Sequence, residues 1–239
     1  MSPSLGSQGG LALELGLAWV SFSPLLPLLT APRRDNGEEA PSTLPRMSCA
    51  AAATVVAVAA ASILRARAGS SNSGGGSGGG SRHREGTIIV RMLARGIAGL
   101  LVGAIAIHAT SVILGAPILR KFPETFAFSV LMAALTSLPV SISSPQPLQA
   151  CAGFLRRTRP AVHEEGAMVP AAGCAVGAWV GAIPLCLDWE QPWQDWPLPM
   201  CVGGLLGFSA GFVVLLGMNL LETIRRRFVS PPDWAAKCN

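Results

Sequence analysis

Apolar residues in this chain fall into long runs that are separated by short polar connections. Six runs are candidates for membrane-spanning helices: 10–31, 48–64, 97–118, 125–144, 168–187 and 198–221. An α-helix rises about 1.5 Å per residue, so roughly 20 apolar residues cross the hydrocarbon core of a bilayer. The pattern therefore predicts an all-α fold, a polytopic membrane helical bundle with about six transmembrane helices.

The two N-terminal runs are the weaker candidates. The run 48–64 is short and rich in alanine, and the run 10–31 contains Glu14, Pro24 and Pro27. A cleaved signal peptide is the alternative interpretation of 10–31. We favour a membrane span, because the run lacks both a basic segment before it and a small-x-small cleavage site after it.

Composition supports a membrane protein. Half of the 239 residues are hydrophobic, only 13% are charged, and the mean hydropathy is +0.47, whereas soluble domains carry about 25% charged residues. The formal charge of +5 does not indicate a nucleic-acid partner, because the basic residues lie in the connections and do not alternate with aromatic residues. The six cysteines include no CxxC pair, so neither a zinc site nor a redox motif is predicted.

Polar connections divide the chain into four segments. Residues 1–64 hold the two weak spans and a charged connection, 65–95 contain the run SSNSGGGSGGGS, 96–224 hold four spans, and 225–239 form a basic tail. A Gly/Ser-rich composition is typical of a flexible chain that packs no core. We therefore predict that 65–95 is a flexible linker.

Arginine and lysine predict the orientation, because cytosolic loops of membrane proteins carry more of them. If the spans alternate in direction, 13 of the 18 arginine and lysine residues lie on the side of the C-terminus and the linker, and five lie on the other side. This bias predicts cytosolic N- and C-termini and a cytosolic linker. The connection 188–197 would then face the lumen or the exterior.

Glycines recur every four residues in three of the predicted spans. They are Gly99 and Gly103, then Gly173, Gly177 and Gly181, then Gly203, Gly207 and Gly211. That spacing places each set on one helical face, where it permits the close backbone approach on which helix association in lipid depends. Two interpretations stay open: the glycines pack spans of this chain together, or they dock against a partner's helix.

The connection between the last two spans is rich in tryptophan. Residues 188–197 contain Trp189, Trp193 and Trp196, three of the chain's six tryptophans, together with three acids and no base. Tryptophan favours the membrane–water boundary, where its ring stays apolar and its N–H stays hydrated. We therefore predict that the last two spans form a hairpin whose turn emerges at one face of the bilayer.

Ionisable residues in and beside the spans are weak candidates for chemistry. Asp188, Glu190 and Asp195 suggest either a divalent-metal site or solvated loop acids, and we favour solvated acids because no histidine lies nearby. His108 lies within a span, where ionisable groups are often functional, although a hydrogen bond between helices is the preferred interpretation.

Sequence motifs for catalysis are missing. No G-x-S-x-G elbow and no phosphate-binding glycine loop occurs in the sequence. We therefore predict no catalytic residue, no cofactor and no metal ligand. A disulfide between Cys186 and Cys201, at the ends of neighbouring spans, is a minor alternative to free thiols.

The stretch that begins at Gly177 resembles the signature of the PIG-F (phosphatidylinositol-glycan biosynthesis class F) family, in which a G-A-W-x-G-A-x-P run precedes P-L-D-W-D-R-P-W-Q-x-W-P. The matching residues are Gly177, Ala178, Trp179, Gly181, Ala182, Pro184, Leu187, Asp188, Trp189, Pro192, Trp193, Gln194, Trp196 and Pro197. A second patch also resembles the family and consists of His108, Gly115, Ala116, Pro117, Glu124, Thr125 and Phe126. The resemblance covers roughly residues 95–221.

Three residues depart from the signature: Cys186 replaces a proline, Glu190 an aspartate and Gln191 an arginine. Without that arginine, the connection itself has no cation to pair with its acids.

The resemblance implies a place in the endoplasmic-reticulum (ER) pathway that builds glycosylphosphatidylinositol (GPI) anchors. Members of the family are non-catalytic, stabilising partners of large multi-span transferases. The transferase's lumenal domain moves phosphoethanolamine from phosphatidylethanolamine to mannoses of the GPI precursor. The implied protein is a multi-pass ER membrane protein and not an enzyme, and its motif residues and glycines lie at partner or helix contacts. Two other functions stay open: presentation of phosphatidylethanolamine or GPI precursor to the transferase, and direct phosphoethanolamine transfer by the chain itself.

Overall fold

The structure of the protein, a computed structural model, covers most of the chain after residue 80. It describes residues 52–56, 60, 80–117, 120–144, 146–156, 162–187 and 191–229. The predicted span 10–31 and most of the span 48–64 lie outside the described residues, as do Asp188, Trp189 and Glu190 of the tryptophan-rich connection.

From residue 80 onward, the described residues form six α-helices. They are α1 (Gly80–Ile113), α2 (Phe122–Leu135), α3 (Ser137–Ser143), α4 (Pro147–Leu155), α5 (Val162–Gly181) and α6 (Leu198–Val229). Two short 3-10 helices, Ile183–Cys186 and Pro192–Gln194, lie between α5 and α6. No strand occurs among the described residues, so the all-α prediction is confirmed for them.

Four segments are long and apolar enough to cross a membrane. They are Gly86–Ile113, Phe122–Ser143, Gly166–Cys186 and Leu198–Glu222. The second segment consists of α2 and α3, which meet at Thr136. These segments correspond to the last four predicted spans, so the structure supports four of the six spans.

The predicted linker is shorter than expected at its C-terminal end. α1 begins at Gly80, so residues 80–95 are helical and do not belong to a flexible linker. The Gly/Ser run dominated that prediction, whereas the sequence at 87–95 ends in the good helix formers Met, Leu, Ala and Arg. Met92 also packs against a buried cluster that includes Ile142 of α3, which stabilises this part of α1.

α5 and α6 pack in antiparallel orientation through their glycines, and their backbones are in direct contact. A Cβ atom added to Gly177 would lie 2.8 Å from Cα of Gly207, and one added to Gly207 would lie 2.8 Å from Cα of Gly177. At one end of the contact, a Cβ on Gly181 would lie 2.5 Å from the carbonyl oxygen of Pro199. Gly173, Gly203 and Gly211 belong to the same contact. No side chain fits between the two helices along this line.

α1 uses its glycines in the same way against the span formed by α2 and α3. A Cβ on Gly99 would overlap the side chain of Ser141, and one on Gly103 would overlap the side chain of Ser137 and lie 3.4 Å from Cβ of Ala133. All three sets of glycines therefore serve packing within the chain. That packing leaves no free glycine face for docking a partner through these residues.

The span formed by α2 and α3 lies at the centre of the bundle. Of the residues in its apolar stretch, 67% are buried, compared with 17% in the corresponding stretches of the spans formed by α1 and α5. Leu131 and Leu135 of α2 are fully buried against a cluster that includes Cys174 of α5 and Leu205 of α6.

Cys186 and Cys201 are both free thiols, so the alternative of a disulfide between them is wrong. Cys201 is buried in the core that α6 shares with α2, whereas Cys186 is exposed in the first 3-10 helix.

A single methyl group at the α5–α6 contact should destabilise the fold. We expect Gly207→Ala to lower the free energy of unfolding by about 1–3 kcal/mol, because the new Cβ meets backbone atoms that cannot rotate away. Gly217→Ala is the matched control on the same helix, since nothing lies within 4 Å of its added Cβ. Unfolding of the purified chain in detergent measures both variants, and equal stability of the two would contradict the packing.

Candidate functional site

Four helix ends meet at one end of the bundle, which we call the turn end. They are the C-terminal ends of α1 and α5 and the N-terminal ends of α2 and α6. The antiparallel packing of α5 on α6, and of α1 on the α2–α3 span, places them together. The turn end therefore carries both family-like patches of the sequence.

Two side-chain pairs join the hairpin α1–α2 to the hairpin α5–α6 at the turn end. Nζ of Lys121 forms an ion pair with Oδ1 of Asp195. The indole Nε1 of Trp196 donates a hydrogen bond to Oγ1 of Thr125 at 3.0 Å, and that hydroxyl donates to the carbonyl of Lys121 at 2.9 Å. The ring of Trp196 also lies 5.7 Å from that of Phe128. We call these pairs, Lys121–Asp195 and Thr125–Trp196, the inter-hairpin contact.

Gln194 holds the connection between α5 and α6 in shape. Its Nε2 donates to the carbonyl oxygens of Pro184 and Leu187, both at 2.7 Å, and its Oε1 accepts from the backbone N–H of Gln191 at 3.0 Å. An amide side chain suits this position because it offers two donors and an acceptor. Pro192 starts the second 3-10 helix, and Pro197 is buried where α6 begins.

Gly115, Ala116 and Pro117 end helix α1. The N–H of Ala116 donates to the carbonyl of Ser111 at 2.9 Å, and the N–H of Gly115 donates to that of Val112 at 3.1 Å. This pair of bonds is a Schellman motif, in which the residue after the helix takes a left-handed conformation. Gly115 has φ +101°, which glycine adopts without strain. The motif therefore has a local structural role.

His108 packs as an aromatic side chain. Its ring lies 5.3 Å from that of Phe122 and 6.1 Å from that of Phe126, with both contacts edge-on. Its Nδ1 is buried and has no hydrogen-bond partner in the described part of the chain. The preferred interpretation of His108 was a hydrogen bond between helices, and in the described part of the chain Nδ1 does not form one.

Glu124 lies in the first turn of α2, where a negative charge is favourable beside the helix N-terminus. Its Oε2 is buried and has no hydrogen-bond partner among the described residues. Neighbouring Lys121 is already paired with Asp195.

Large apolar side chains point outward at the turn end. Trp179 of α5 is 75% exposed and Trp193 is 43% exposed, and Phe122 and Phe126 of α2 are exposed as well. They lie at the ends of the four spans, a level that suits the boundary between lipid and water. We call these four residues the aromatic surface.

The three acids of the connection do not appear together in the described structure. Asp195 is paired with Lys121, and Asp188 and Glu190 lie outside the described residues. Among the residues that the structure describes, no group of three or more His, Cys, Asp or Glu side chains could hold a metal ion.

Lys121 is the residue that the sequence analysis missed. It supplies, from the other hairpin, a cation for the connection that has none of its own. Its position just before the Glu124–Phe126 patch is the one signal that could have identified it.

Comparisons with known proteins agree with the signature residues. The family model "GPI biosynthesis protein family Pig-F" matches residues 38–216. A human relative, "GPI ethanolamine phosphate transferase, stabilizing subunit", is 33% identical over 115 residues, which cover 48% of this chain and 52% of the relative. The mouse protein of that name is 32% identical over 115 residues, with the same shares of both chains. "Glycosylphosphatidylinositol anchor biosynthesis protein 11" of Pyricularia oryzae is 33% identical over 111 residues, which cover 46% of this chain and 41% of that protein.

The matched region thus spans about half the length of these curated relatives. No solved structure matches the chain. Because the family model covers most of the sequence, including both patches that meet at the turn end, the chain belongs to the PIG-F family, as its signature residues predicted.

Proposed function

We propose that this chain is the non-catalytic, stabilising subunit of an ER phosphoethanolamine transferase, which adds ethanolamine phosphate to mannoses of the GPI precursor. Its partner is the large multi-span catalytic subunit of that enzyme. Membership of the PIG-F family and the names of the human and mouse relatives support this role.

One observation carries the proposal: the polar motif residues at the turn end are paired within the chain. Asp195 pairs with Lys121, Trp196 bonds Thr125, and Gln194 closes its own turn. These polar groups are occupied in building the surface, while the aromatic surface faces outward. Aromatic side chains are enriched where proteins dock. Such a surface suits the binding of another membrane protein.

Direct transfer by the chain itself is the less supported alternative. Asp195 is held in an ion pair, and His108 packs against two phenylalanine rings. Both arrangements favour structural roles over proton transfer. Presentation of lipid to the transferase has one observation in its favour, the exposure of Trp179 on the flank of α5 near its C-terminal end.

In this proposal, the turn end faces the ER lumen and the termini face the cytosol. The described bases at the opposite end include Arg91, Arg95 and Arg225, whereas the turn end has Arg120 and Lys121. Cytosolic faces carry the larger share of such residues. The aromatic surface would then lie on the side where the partner's lumenal domain works.

Removal of an exposed tryptophan should weaken the complex. In cells that lack their own PIG-F protein, we expect this chain to restore transferase abundance, and we expect Trp193→Ala to reduce both that abundance and co-purification of the transferase in mild detergent. Hot-spot aromatic residues contribute about 2 kcal/mol or more to binding, so a loss of at least about tenfold in retained partner is expected.

Leu148→Ala is the matched control, because Leu148 is 86% exposed on α4 at the opposite end of the bundle. Unchanged transferase abundance in the absence of the chain would reject the stabilising role. Phosphoethanolamine transfer by the isolated chain would favour the enzyme alternative.

Two exposed cysteines at opposite ends of the bundle test the orientation. Cys151 on α4 and Cys186 at the turn end are both exposed free thiols. In sealed ER microsomes, with Cys49 and Cys238 replaced by serine, we expect an impermeant maleimide to label Cys151 at once and Cys186 only after permeabilisation. The reverse order of labelling would place the turn end in the cytosol.

The hydrogen bond in the inter-hairpin contact should contribute measurably to stability. We expect Thr125→Val and Trp196→Phe each to lower the free energy of unfolding, with a coupling energy of about 1 kcal/mol between them, because either change removes the same bond. Detergent unfolding of the two single variants and the double variant measures the coupling. Strictly additive losses would show that the bond contributes nothing.

A further inference from the structure

α1 and α6 are longer than a bilayer requires. α1 has 34 residues and α6 has 32, which correspond to about 51 Å and 48 Å of helix, while the hydrocarbon core is about 30 Å thick. Both helices have one terminus at the turn end. Their excess length therefore lies at the opposite end, which we call the arginine end; α4 lies there as well, because it follows α3.

The two ends of the bundle differ in charge. Four arginines whose side chains the structure describes lie at the arginine end: Arg91, Arg95, Arg156 and Arg225. Among the described side chains at this end, Glu222 is the one acid. At the turn end, Arg120 and Lys121 are balanced by Glu124 and Asp195. The arginine end thus carries the positive charge of the described bundle.

Helix geometry places two of these arginines, Arg91 and Arg95, near the edge of the lipid, with Arg225 farther out. Along α1, Arg95 lies about 27 Å from Ile113 and Arg91 about 33 Å from it. Arg225 lies about 40 Å from Leu198 along α6. With a core of about 30 Å, Arg95 and Arg91 lie on either side of the boundary between hydrocarbon and headgroups.

Arg95 has an unsatisfied group at this depth. It is half-buried beside the contact of α1 with α3, where a Cβ on Gly96 would lie 2.8 Å from Cγ1 of Ile142. Its Nε is buried and has no hydrogen-bond partner among the described residues. Arginine stays charged at any physiological pH. An unpaired charge is costly inside the hydrocarbon, so an arginine near the end of a span reaches toward the headgroups. Because Nε itself is covered, a phosphate oxygen would contact the exposed part of this half-buried side chain and offset its charge.

We propose that the arginine end binds the phosphate groups of anionic phospholipid headgroups, with Arg91 and Arg95 as the principal ligands. Charge complementarity selects the ligand, since basic residues at this level attract anionic lipids with a free energy of about 1 kcal/mol each. Arg225, which is exposed on α6, adds to the same attraction. This proposal is independent of the partner bound at the turn end and of which leaflet the arginine end meets.

Spin-labelled lipids exchanging on the purified full chain test the proposal. We expect the chain to bind labelled phosphatidylserine more tightly than labelled phosphatidylcholine. Each arginine removed should weaken the preference by about fivefold, so that R91Q/R95Q loses most or all of it. R120Q, which removes an exposed base at the turn end, is the matched control and should behave as the wild type.

Three outcomes would overturn the proposal: equal binding of the two lipids by the wild type, full preference in R91Q/R95Q, or an equal loss in R120Q. Complete displacement of labelled phosphatidylserine by millimolar inorganic phosphate would identify a site for free anions and not for lipid. If R91Q/R95Q does not fold, the single variant R91Q, which changes an exposed side chain, still has to show the fivefold loss.

Discussion

The contact on which the rest of this structure depends is the one between the backbones of α5 and α6. Lipid chains are as apolar as the side chains of a span, so burial of apolar surface contributes little to helix association in a membrane. Close approach must take its place, and here Gly177 and Gly207 allow it, because a single Cβ at either residue would meet the other's Cα at 2.8 Å. This contact holds the ends of the connection, Gly181 and Leu198, on neighbouring helices. Gln194 can then close the turn, and Trp196 can reach Thr125 on the other hairpin.

The features predicted from sequence are those that depend on local pattern. Apolar runs predicted the last four spans, and a four-residue glycine period predicted which helical faces pack, because both follow from the helix repeat alone. The ion pair of Lys121 with Asp195 joins residues 74 positions apart, and composition does not indicate which polar side chains meet. The start of α1 was missed for a different reason: the Gly/Ser run obscured the helix-forming residues 91–95 that follow it.

Much of the family signature serves to build the turn end. Gly115 ends α1, Gly181 permits close packing, and Gln194 ties two carbonyls together. Each role requires the residue type found there. Gly115 needs to adopt a positive φ, Gly181 needs to lack a side chain, and Gln194 needs an amide with two donors. Of the signature tryptophans that the structure describes, Trp179 and Trp193 point outward. The signature therefore contains two kinds of residue: those that fold the turn end and a few that are exposed on its surface.

The two ends of the bundle set different limits on its position in a membrane. Tryptophan and phenylalanine at the turn end tolerate the boundary but do not reach far into water, whereas the arginines at the other end need phosphate or water at every guanidinium. Since Arg95 lies about 27 Å from Ile113 along α1, the two requirements are met together only when the bundle spans a core of about 30 Å. A shift of the bundle by one helical turn toward the turn end would draw Arg95 into hydrocarbon, and the opposite shift would pull the aromatic surface into the lipid. On these two requirements, charges at the far end of α1, which do not contact the turn, limit how deep the aromatic surface would lie.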